Sequence, residues 1–256
     1  FDEKYGFRDY RGGGRSSGRE TIGRVAAGAV AVRLLGQMGI ELYAYASAIG
    51  GIAMDRDSFN LEERDNNPFA MPDAGAALRI KKYADRKLEE CNSMGGIIEC
   101  VVKNMPAGIG EPVFDKLDAN LAKAIMSIGA VKGVEIGDGF AAADSTGLEN
   151  NDAFRMKDGH IVKQTNHAGG ILGGMSDGSD IILRAAVKPT PSIAATQHTV
   201  NKAGEEIDIS IHGRHDPMIV PRAVVVVEAM TAITLVDMLF MGMTSRLDRI
   251  ADFYKR

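Results

Sequence analysis

The longest apolar run in the sequence, residues 223–243, restricts the fold more than any other feature. A helix of this length could cross a bilayer, but Glu228 and Asp237 lie inside it, and carboxylates are costly at the centre of a membrane. The run therefore predicts a buried helix from about residue 221 to residue 241, not a membrane span. Because 45% of the 256 residues are hydrophobic and no long linker divides them, we expect one domain, residues 1–256, packed around this helix.

The rest of the chain alternates between helical and strand patterns. Apolar residues recur at helical spacing after Ser17, after Asp73 and from Leu117, which predicts three further helices. Residues 53–72 and 144–159 are polar and are expected to be loops. Hairpins and glycine turns join the predicted strands as often as helices do, which favours an α+β fold of antiparallel sheets packed on helices over a doubly wound parallel sheet. The predicted strands are residues 40–49, 97–105, 131–136, 181–187, 196–201 and 206–211.

Composition and charge argue against several classes of protein. A net charge of −4 and 6% aromatic residues do not suit a surface that binds nucleic acid. Cys91 and Cys100 are the only cysteines and lack Cys-x-x-Cys spacing, which argues against a disulfide framework and a zinc site. We therefore expect a reducing, cytoplasmic location and no metal. The sequence begins at Phe1, so we also expect a segment upstream of it.

Residues 11–24, RGGGRSSGRETIGR, combine three consecutive glycines, two serines and four arginines. Ser17 and Glu20 have capping-box spacing, so we expect a helix to begin at Ser17 with its unpaired N–H groups directed at the glycines. Glycine allows close backbone approach and a helix N-terminus favours anions, so the segment predicts a site for a phosphate or carboxylate. Arg15 and Arg19 would add forked donors. The alternative is a simple helix cap with solvated arginines.

Three later clusters also carry polar chemistry. Residues 166–178, NHAGGILGGMSDG, predict a tight loop that a flat ligand could approach, although a glycine-rich hairpin without a ligand fits equally well. Residues 188–192, KPTPS, form a rigid segment with an ammonium and two hydroxyls. In HGRHDP, at 212–217, no further ligand completes a metal site, and we favour catalytic or anion-binding use of Arg214 and Asp216. The alternative is that Asp216 caps the last long helix or pairs with Arg214.

The sequence YGFRDYRGGGRSSGRET, at residues 5–21, resembles the signature of the chorismate synthase family. Three later stretches resemble that family in the same order: MSIGAVKGVEIGDGF, NHAGGILGG and KPTPS. The resemblance implies a layered β-α-β fold with helices between antiparallel sheets, and a homotetramer. It also implies a lyase of the shikimate pathway and of aromatic amino acid biosynthesis. Such a lyase converts 5-enolpyruvylshikimate 3-phosphate to chorismate by 1,4-elimination of phosphate, with reduced FMN as its cofactor.

Family roles transfer to this sequence position by position. The resemblance implies that Arg19 and Arg214 bind the substrate and that Asp216 assists proton transfer at the flavin. The family often has asparagine where this sequence has Gly129, which leaves no side chain for a contact there. The implied flavin contacts are Arg15, Ser16, Ser17, Gly129, Ala130, Gly173, Lys188, Pro189, Thr190, Pro191, Ser192 and Arg214.

One part of the family pattern is missing from the sequence. The family has two catalytic histidines, and further substrate arginines, in a segment that would precede Phe1. None of the five histidines stands at those positions, so the sequence carries most of the flavin site but only part of the acid–base machinery. We expect either that the natural protein is longer or that this chain is a fragment that does not turn over by itself. We therefore weigh the lyase against two alternatives, a non-catalytic flavin- or anion-binding scaffold and an RNA-binding module that uses residues 11–24; the acidic net charge disfavours the last. Whether NADPH or a separate reductase supplies the reduced flavin stays open. The five histidines are His160, His167, His198, His212 and His215.

Overall fold

The structure, a computed structural model, describes residues 1–211 and 217–255. It confirms the predicted α+β class, with helices packed against an antiparallel sheet. The helices of the described residues are α1 (Asp2–Tyr5), α2 (Thr21–Gln37), α3 (Glu63–Asn66), α4 (Ala74–Glu89), α5 (Leu117–Met126), α6 (Val220–Gly242) and α7 (Leu247–Tyr254). The strands are β1 (Glu41–Ile49), β2 (Ile52–Ala53), β3 (Gly96–Lys103), β4 (Val131–Ile136), β5 (Phe154–Lys157), β6 (His160–Lys163), β7 (Ile171–Leu172), β8 (Met175–Ser176), β9 (Ile181–Val187), β10 (Gln197–Val200) and β11 (Glu206–Ile209).

Five strands form the main sheet, in the order β2-β1-β3-β9-β4, and every neighbouring pair is antiparallel. β4 and β9 have the bounds that the sequence predicts, because their β-branched runs lie between glycine or proline residues. The other paired strands form the two-stranded ribbons β5–β6, β7–β8 and β10–β11. The last of these is the predicted hairpin around Gly204, with slightly shorter strands.

α6 is the core helix that the apolar run predicts. By length and composition it could cross a membrane, yet it packs here on α2, α5, β1 and β3. Glu228, inside the run, accepts a hydrogen bond from the Ala44 N–H at 3.0 Å and lies 3.6 Å from Arg64. Burial raises the pKa of Glu228, and these two partners reduce the cost of placing a carboxylate in the helix.

The start of α2 differs from the prediction. The sequence predicts a helix from Ser17, but α2 begins only after a 3₁₀ turn at Gly18–Glu20. The Ser17 hydroxyl accepts a hydrogen bond from the Arg19 N–H at 3.3 Å, so it caps the 3₁₀ turn. The Glu20 carboxylate pairs with Arg24 at 3.0 Å, one helical turn further on. An i,i+4 ion pair therefore takes the place of the reciprocal capping box.

Two segments predicted as loops contain short elements. Residues 53–72 include α3 and a 3₁₀ turn at Arg56–Ser58, and β5 lies within residues 144–159. α4 begins where the sequence predicts, because Asp73 accepts a hydrogen bond from the Ala76 N–H at 2.9 Å. The apolar face of α4 is buried only as far as Ala84, since Leu88 is exposed.

A buried carboxylate lies on the central strand of the main sheet. The Glu99 side chain is 2% exposed, and in register it faces Tyr45 on β1 and Arg184 on β9. The Tyr45 hydroxyl and the Arg56 guanidinium both hydrogen-bond to it. Burial alone would raise the pKa of Glu99, but these hydrogen bonds outweigh burial and the pKa is lowered. An ionised carboxylate therefore ties the segment around Arg56 to the sheet.

We expect Glu99→Gln to lower the free energy of unfolding by about 1.5–3 kcal/mol at neutral pH, the range for hydrogen bonds to charged groups. Because the pKa of Glu99 is lowered in the folded state, its contribution is complete above the unfolded value of about 4.3 and is lost as the pH falls through the folded value. Urea unfolding between about pH 3 and pH 7 should show that the difference in unfolding free energy between the wild-type protein and the variant closes at low pH. Glu3→Gln, an exposed control, should leave stability unchanged. A stability difference that does not change with pH would contradict this account.

Candidate functional site

Four arginines flank the glycine turn, and the structure divides them into paired and unpaired residues. Arg11 pairs with Asp9 at 3.0 Å, and Arg24 pairs with a carboxylate of its own helix. Within the described part of the chain, no ion pair or side-chain hydrogen bond holds Arg15 or Arg19, and both are exposed. The two arginines with free guanidinium groups are therefore the two for which the resemblance implies ligand contacts.

The glycine turn borders a cavity of about 340 Å³, which Phe1, Tyr5 and Phe7 also line. Gly14 has a φ of +51°, and a Cβ placed on it would meet no atom within 4 Å. Glycine is therefore favoured there by its left-handed backbone conformation and not by packing. The Ser16 hydroxyl donates to a backbone carbonyl of the turn at 2.6 Å, which leaves its oxygen able to accept a hydrogen bond from a ligand.

Arg24 connects this turn to the second stretch of resemblance. Its Nη1 donates to Ser127 Oγ at 2.6 Å, and its Nη2 donates to the Ser127 carbonyl at 3.4 Å. Ser127 is the C-cap of α5, where the helix dipole favours a cation. The side chain of Arg24 therefore joins the first helical turns of α2 to the segment that carries Gly129 and Ala130.

Gly129 and Ala130 form the turn between α5 and β4. The Ala130 carbonyl accepts a hydrogen bond from the Lys188 N–H at 2.9 Å, which joins the second stretch to the KPTPS segment. Ala130 has a φ of +72°, which is uncommon for a residue with a Cβ. Gly129 is exposed, and a Cβ placed on it would meet no atom within 4 Å. The asparagine that the family often has at this position would therefore fit.

The KPTPS segment (residues 188–192) leaves β9 and is fixed through its carbonyl groups. Ser93 Oγ donates to the Thr190 carbonyl at 2.6 Å, and Gln197 Nε2 donates to the Pro191 carbonyl at 3.1 Å. The Lys188 side chain is exposed, and among the residues that the structure describes it has no ion-pair partner. The segment therefore offers a free ammonium on a rigid backbone.

The structure does not test the positions of Arg214 and Asp216, because residues 212–216 lie outside the described residues. The residues on either side are fixed beside the KPTPS segment. The Ile211 N–H donates to the Ile193 carbonyl at 3.2 Å, and the Pro217 carbonyl accepts from the Met94 N–H at 2.8 Å. The chain therefore enters and leaves residues 212–216 next to that segment.

Several glycines in residues 166–178 serve packing and not ligand approach. A Cβ on Gly169 would lie 2.3 Å from the Gly137 nitrogen, and one on Gly174 would lie 2.4 Å from the Glu111 carbonyl oxygen. Gly173 differs, because it is exposed at the tip of the β7–β8 hairpin and a Cβ there would meet no atom within 4 Å. Of these three glycines, Gly173 alone has an open side that a ligand could approach.

Gly173 is distant from the other predicted flavin contacts within one chain. The adjacent Gly174 carbonyl accepts a hydrogen bond from the N–H of Leu117, the first residue of α5, at 2.7 Å. Gly129 and Ala130 follow the other end of the same helix. Ten residues of α-helix span about 15 Å. Hydrogen bonds therefore join the start of α2, the α5–β4 turn and the KPTPS segment, and Gly173 lies one helix length away from that turn.

Sequence reasoning missed a buried carboxylate behind the glycine loop. The Asp152 side chain is 5% exposed and accepts hydrogen bonds from both the backbone and the ring of His167. His167 stands out in the sequence because it lies in NHAGG. Asp152 does not, because it precedes His167 by fifteen residues in a polar stretch that resembles any exposed loop.

The fold defines the class: an α+β protein in which hydrogen bonds join the start of α2 to the α5–β4 turn and that turn to the KPTPS segment. Within residues 1–211 and 217–255, no group of three His, Cys, Asp or Glu side chains could hold a metal ion. A sequence model of the family described as chorismate synthase matches residues 1–240. The chain belongs to the chorismate synthase family.

Known proteins agree with this assignment. The chain is 67% identical over 256 residues to a chorismate synthase of Lachnospira eligens and 66% identical to one of Agathobacter rectalis. Each match covers 100% of this chain and 70% of the relative. A crystal structure of chorismate synthase matches with a TM-score of 0.78 and 31% identity, covering 98% of this chain and 73% of that one. The predicted fold and the predicted enzyme class, a lyase, are confirmed.

Substituting alanine at two glycines should separate packing from turn geometry. Gly169 and Gly173 have similar φ angles, +64° and +58°, so a Cβ costs each of them about 1–2 kcal/mol of backbone strain. Gly169→Ala also forces backbone overlap with Gly137, which should cost about 1–3 kcal/mol more. Urea unfolding of both variants measures the difference. Equal losses would show that the close approach at Gly137 is not required for stability.

Proposed function

We propose that the full-length protein carries the activity of its family, and that this chain supplies most of the flavin site and part of the acid–base machinery. Reduced FMN and 5-enolpyruvylshikimate 3-phosphate would bind together, and 1,4-elimination of phosphate would give chorismate. The observation that supports this most strongly is the pair of free guanidinium groups, Arg15 and Arg19, at an open glycine turn. Hydrogen bonds link Arg24, in the helix that follows this turn, to Ser127, and the Ala130 carbonyl to the KPTPS segment. Two anionic ligands require several free cations in one place.

The residues present fit a flat, phosphorylated cofactor. Gly14, Gly129 and Gly173 each leave space where a side chain would otherwise be, and Arg15 and Lys188 have free charges. Because Gly173 lies one helix length from Gly129, FMN would have to lie along α5 if one chain supplies every contact. The proposed FMN contacts are Arg15, Ser16, Ser17, Gly129, Ala130, Gly173, Lys188, Pro189, Thr190, Pro191, Ser192 and Arg214.

The chain's own groups bind, orient and desolvate the reactants. When bound, reduced FMN supplies transient electron density that helps to expel phosphate. Arg19 and Arg214 would neutralise the carboxylates and phosphate of the substrate and fix the ring in one orientation. Asp216 would assist proton transfer at the flavin. The anchoring of Ile211 and Pro217 beside the KPTPS segment supports placing Arg214 and Asp216 in the same site.

The assembly and location follow the family. We place the protein in the cytoplasm as a homotetramer, with residues 1–256 acting as one domain and with small molecules, not nucleic acid or a membrane, as its ligands. The packing of α6 among four other elements supports a water-soluble enzyme.

Arg15→Ala should weaken FMN binding about 10- to 100-fold and Arg19→Ala should weaken substrate binding by a similar factor, because each removes a charge-assisted hydrogen bond. Arg11→Ala is the matched control, since its guanidinium is already paired with Asp9. Flavin fluorescence and calorimetric titrations measure the two affinities separately. If both variants lose both ligands equally, the two roles are misassigned.

Phosphate release tests the proposed function itself. Under anaerobic conditions with reduced FMN and 5-enolpyruvylshikimate 3-phosphate, we expect one phosphate and one chorismate per turnover. A reaction without flavin is the control. If the full-length protein binds FMN but releases no phosphate above the control, it is a flavin-binding scaffold and not a lyase.

A further inference from the structure

Residues 91–95, in the link between α4 and β3, lie against the KPTPS segment. Ser93 Oγ donates a hydrogen bond to the Thr190 carbonyl at 2.6 Å. A Cβ placed on Gly95 would lie 3.1 Å from both the nitrogen and the Cδ of Pro189, which is closer than ordinary van der Waals contact. The link therefore contacts the KPTPS segment through one hydroxyl and through one glycine that allows close approach.

The KPTPS segment bonds to the fold through its carbonyl groups and leaves most of its donors unused. The carbonyls of Thr190 and Pro191 accept hydrogen bonds from side chains outside the segment. Within the described part of the chain, no acceptor binds the N–H groups or the hydroxyls of Thr190 and Ser192. Because the two prolines have no N–H, these groups and the Lys188 ammonium are what the segment offers to a ligand. All of them are donors, which suits an anion.

We propose that Ser93 is the positioning residue for these donors. Its hydroxyl fixes the Thr190 carbonyl and so holds the backbone of the KPTPS segment in the conformation that binds the anionic group of FMN. The inference rests on the proposed function, because the segment contacts FMN only there. A pre-formed site binds more tightly, since the apparent Kd is the intrinsic Kd divided by the fraction of molecules in the binding conformation. Without the Ser93 hydroxyl, that fraction falls.

The fold does not depend on the Ser93 hydroxyl. β3 and β9 pair over seven successive residues beside the link. Backbone groups hold the link itself, because the Met94 N–H donates to the Pro217 carbonyl at 2.8 Å and the Gly95 carbonyl accepts a backbone hydrogen bond at 2.9 Å. These bonds remain when the Ser93 side chain is shortened. The contact that is lost is the one to the KPTPS segment.

The FMN affinity of the full-length protein, measured by flavin fluorescence, tests the proposal. We expect Ser93→Ala to weaken FMN binding about 3- to 10-fold, the factor that corresponds to one hydrogen bond. Ser93→Thr keeps a hydroxyl and should bind FMN within about twofold of the wild type. The matched control is Thr244→Ala, which removes a hydroxyl that donates to the Met241 carbonyl at 3.2 Å near the C-terminal end of α6. It should leave FMN affinity unchanged.

Backbone hydrogen exchange without FMN separates positioning from a role in the fold. In Ser93→Ala, exchange should become faster at Lys188 and Ile193, whose N–H groups are hydrogen-bonded, and should stay unchanged in β3 and β9.

Three results would overturn this inference alone, provided that the wild-type protein binds FMN. They are FMN binding by Ser93→Ala as tight as that of the wild type, equal losses of affinity in Ser93→Ala and Ser93→Thr, and faster exchange throughout β3 and β9. No FMN binding by the wild-type protein would overturn the proposed function together with it.

Discussion

The arrangement of the site depends on the guanidinium of Arg24. This group spans from Glu20, in the 3₁₀ turn before α2, to the hydroxyl and carbonyl of Ser127 at the end of α5. It therefore fixes the start of α2 relative to Ala130, whose carbonyl in turn holds the Lys188 N–H. The backbones of α2 and α6 come close enough for this because Gly28 has no side chain, and a Cβ there would lie 2.3 Å from that of Ala229. These links join the start of α2, the α5–β4 turn and the KPTPS segment.

The sequence predicts the elements whose formation depends on local pattern. α6, α4 with its Asp73 cap, β4 and β9 are all visible in the spacing of apolar residues and in the residues that interrupt them. The start of α2 was predicted too early, because whether Glu20 pairs with Ser17 or with Arg24 depends on where Ser127 lies. Partners distant in sequence, such as Asp152 and His167, leave no local signal. The separation of Gly173 from Gly129 is equally invisible, since it follows from the course of α5.

Some of the cationic side chains and glycines stabilise the fold, and others are open to a ligand. Arg11, Arg24 and Arg56 pair with carboxylates, whereas Arg15, Arg19 and Lys188 keep free charges in the described part of the chain. The backbones of Gly137 and Gly169 pack against each other, whereas Gly14, Gly129 and Gly173 face open space. The amino-acid composition does not distinguish the two groups of residues, because they differ only in how they are packed. The division also explains why the glycine-rich loop can be rigid and still expose one position to a ligand.

We propose that three distant stretches of chain form one site. Hydrogen–deuterium exchange of the backbone, measured with and without FMN, tests this most directly. We predict that FMN slows exchange in residues 14–20, 127–130 and 188–192 together, with the same dependence on FMN concentration. Protection confined to one of these stretches, or different concentration dependences among them, would contradict the claim.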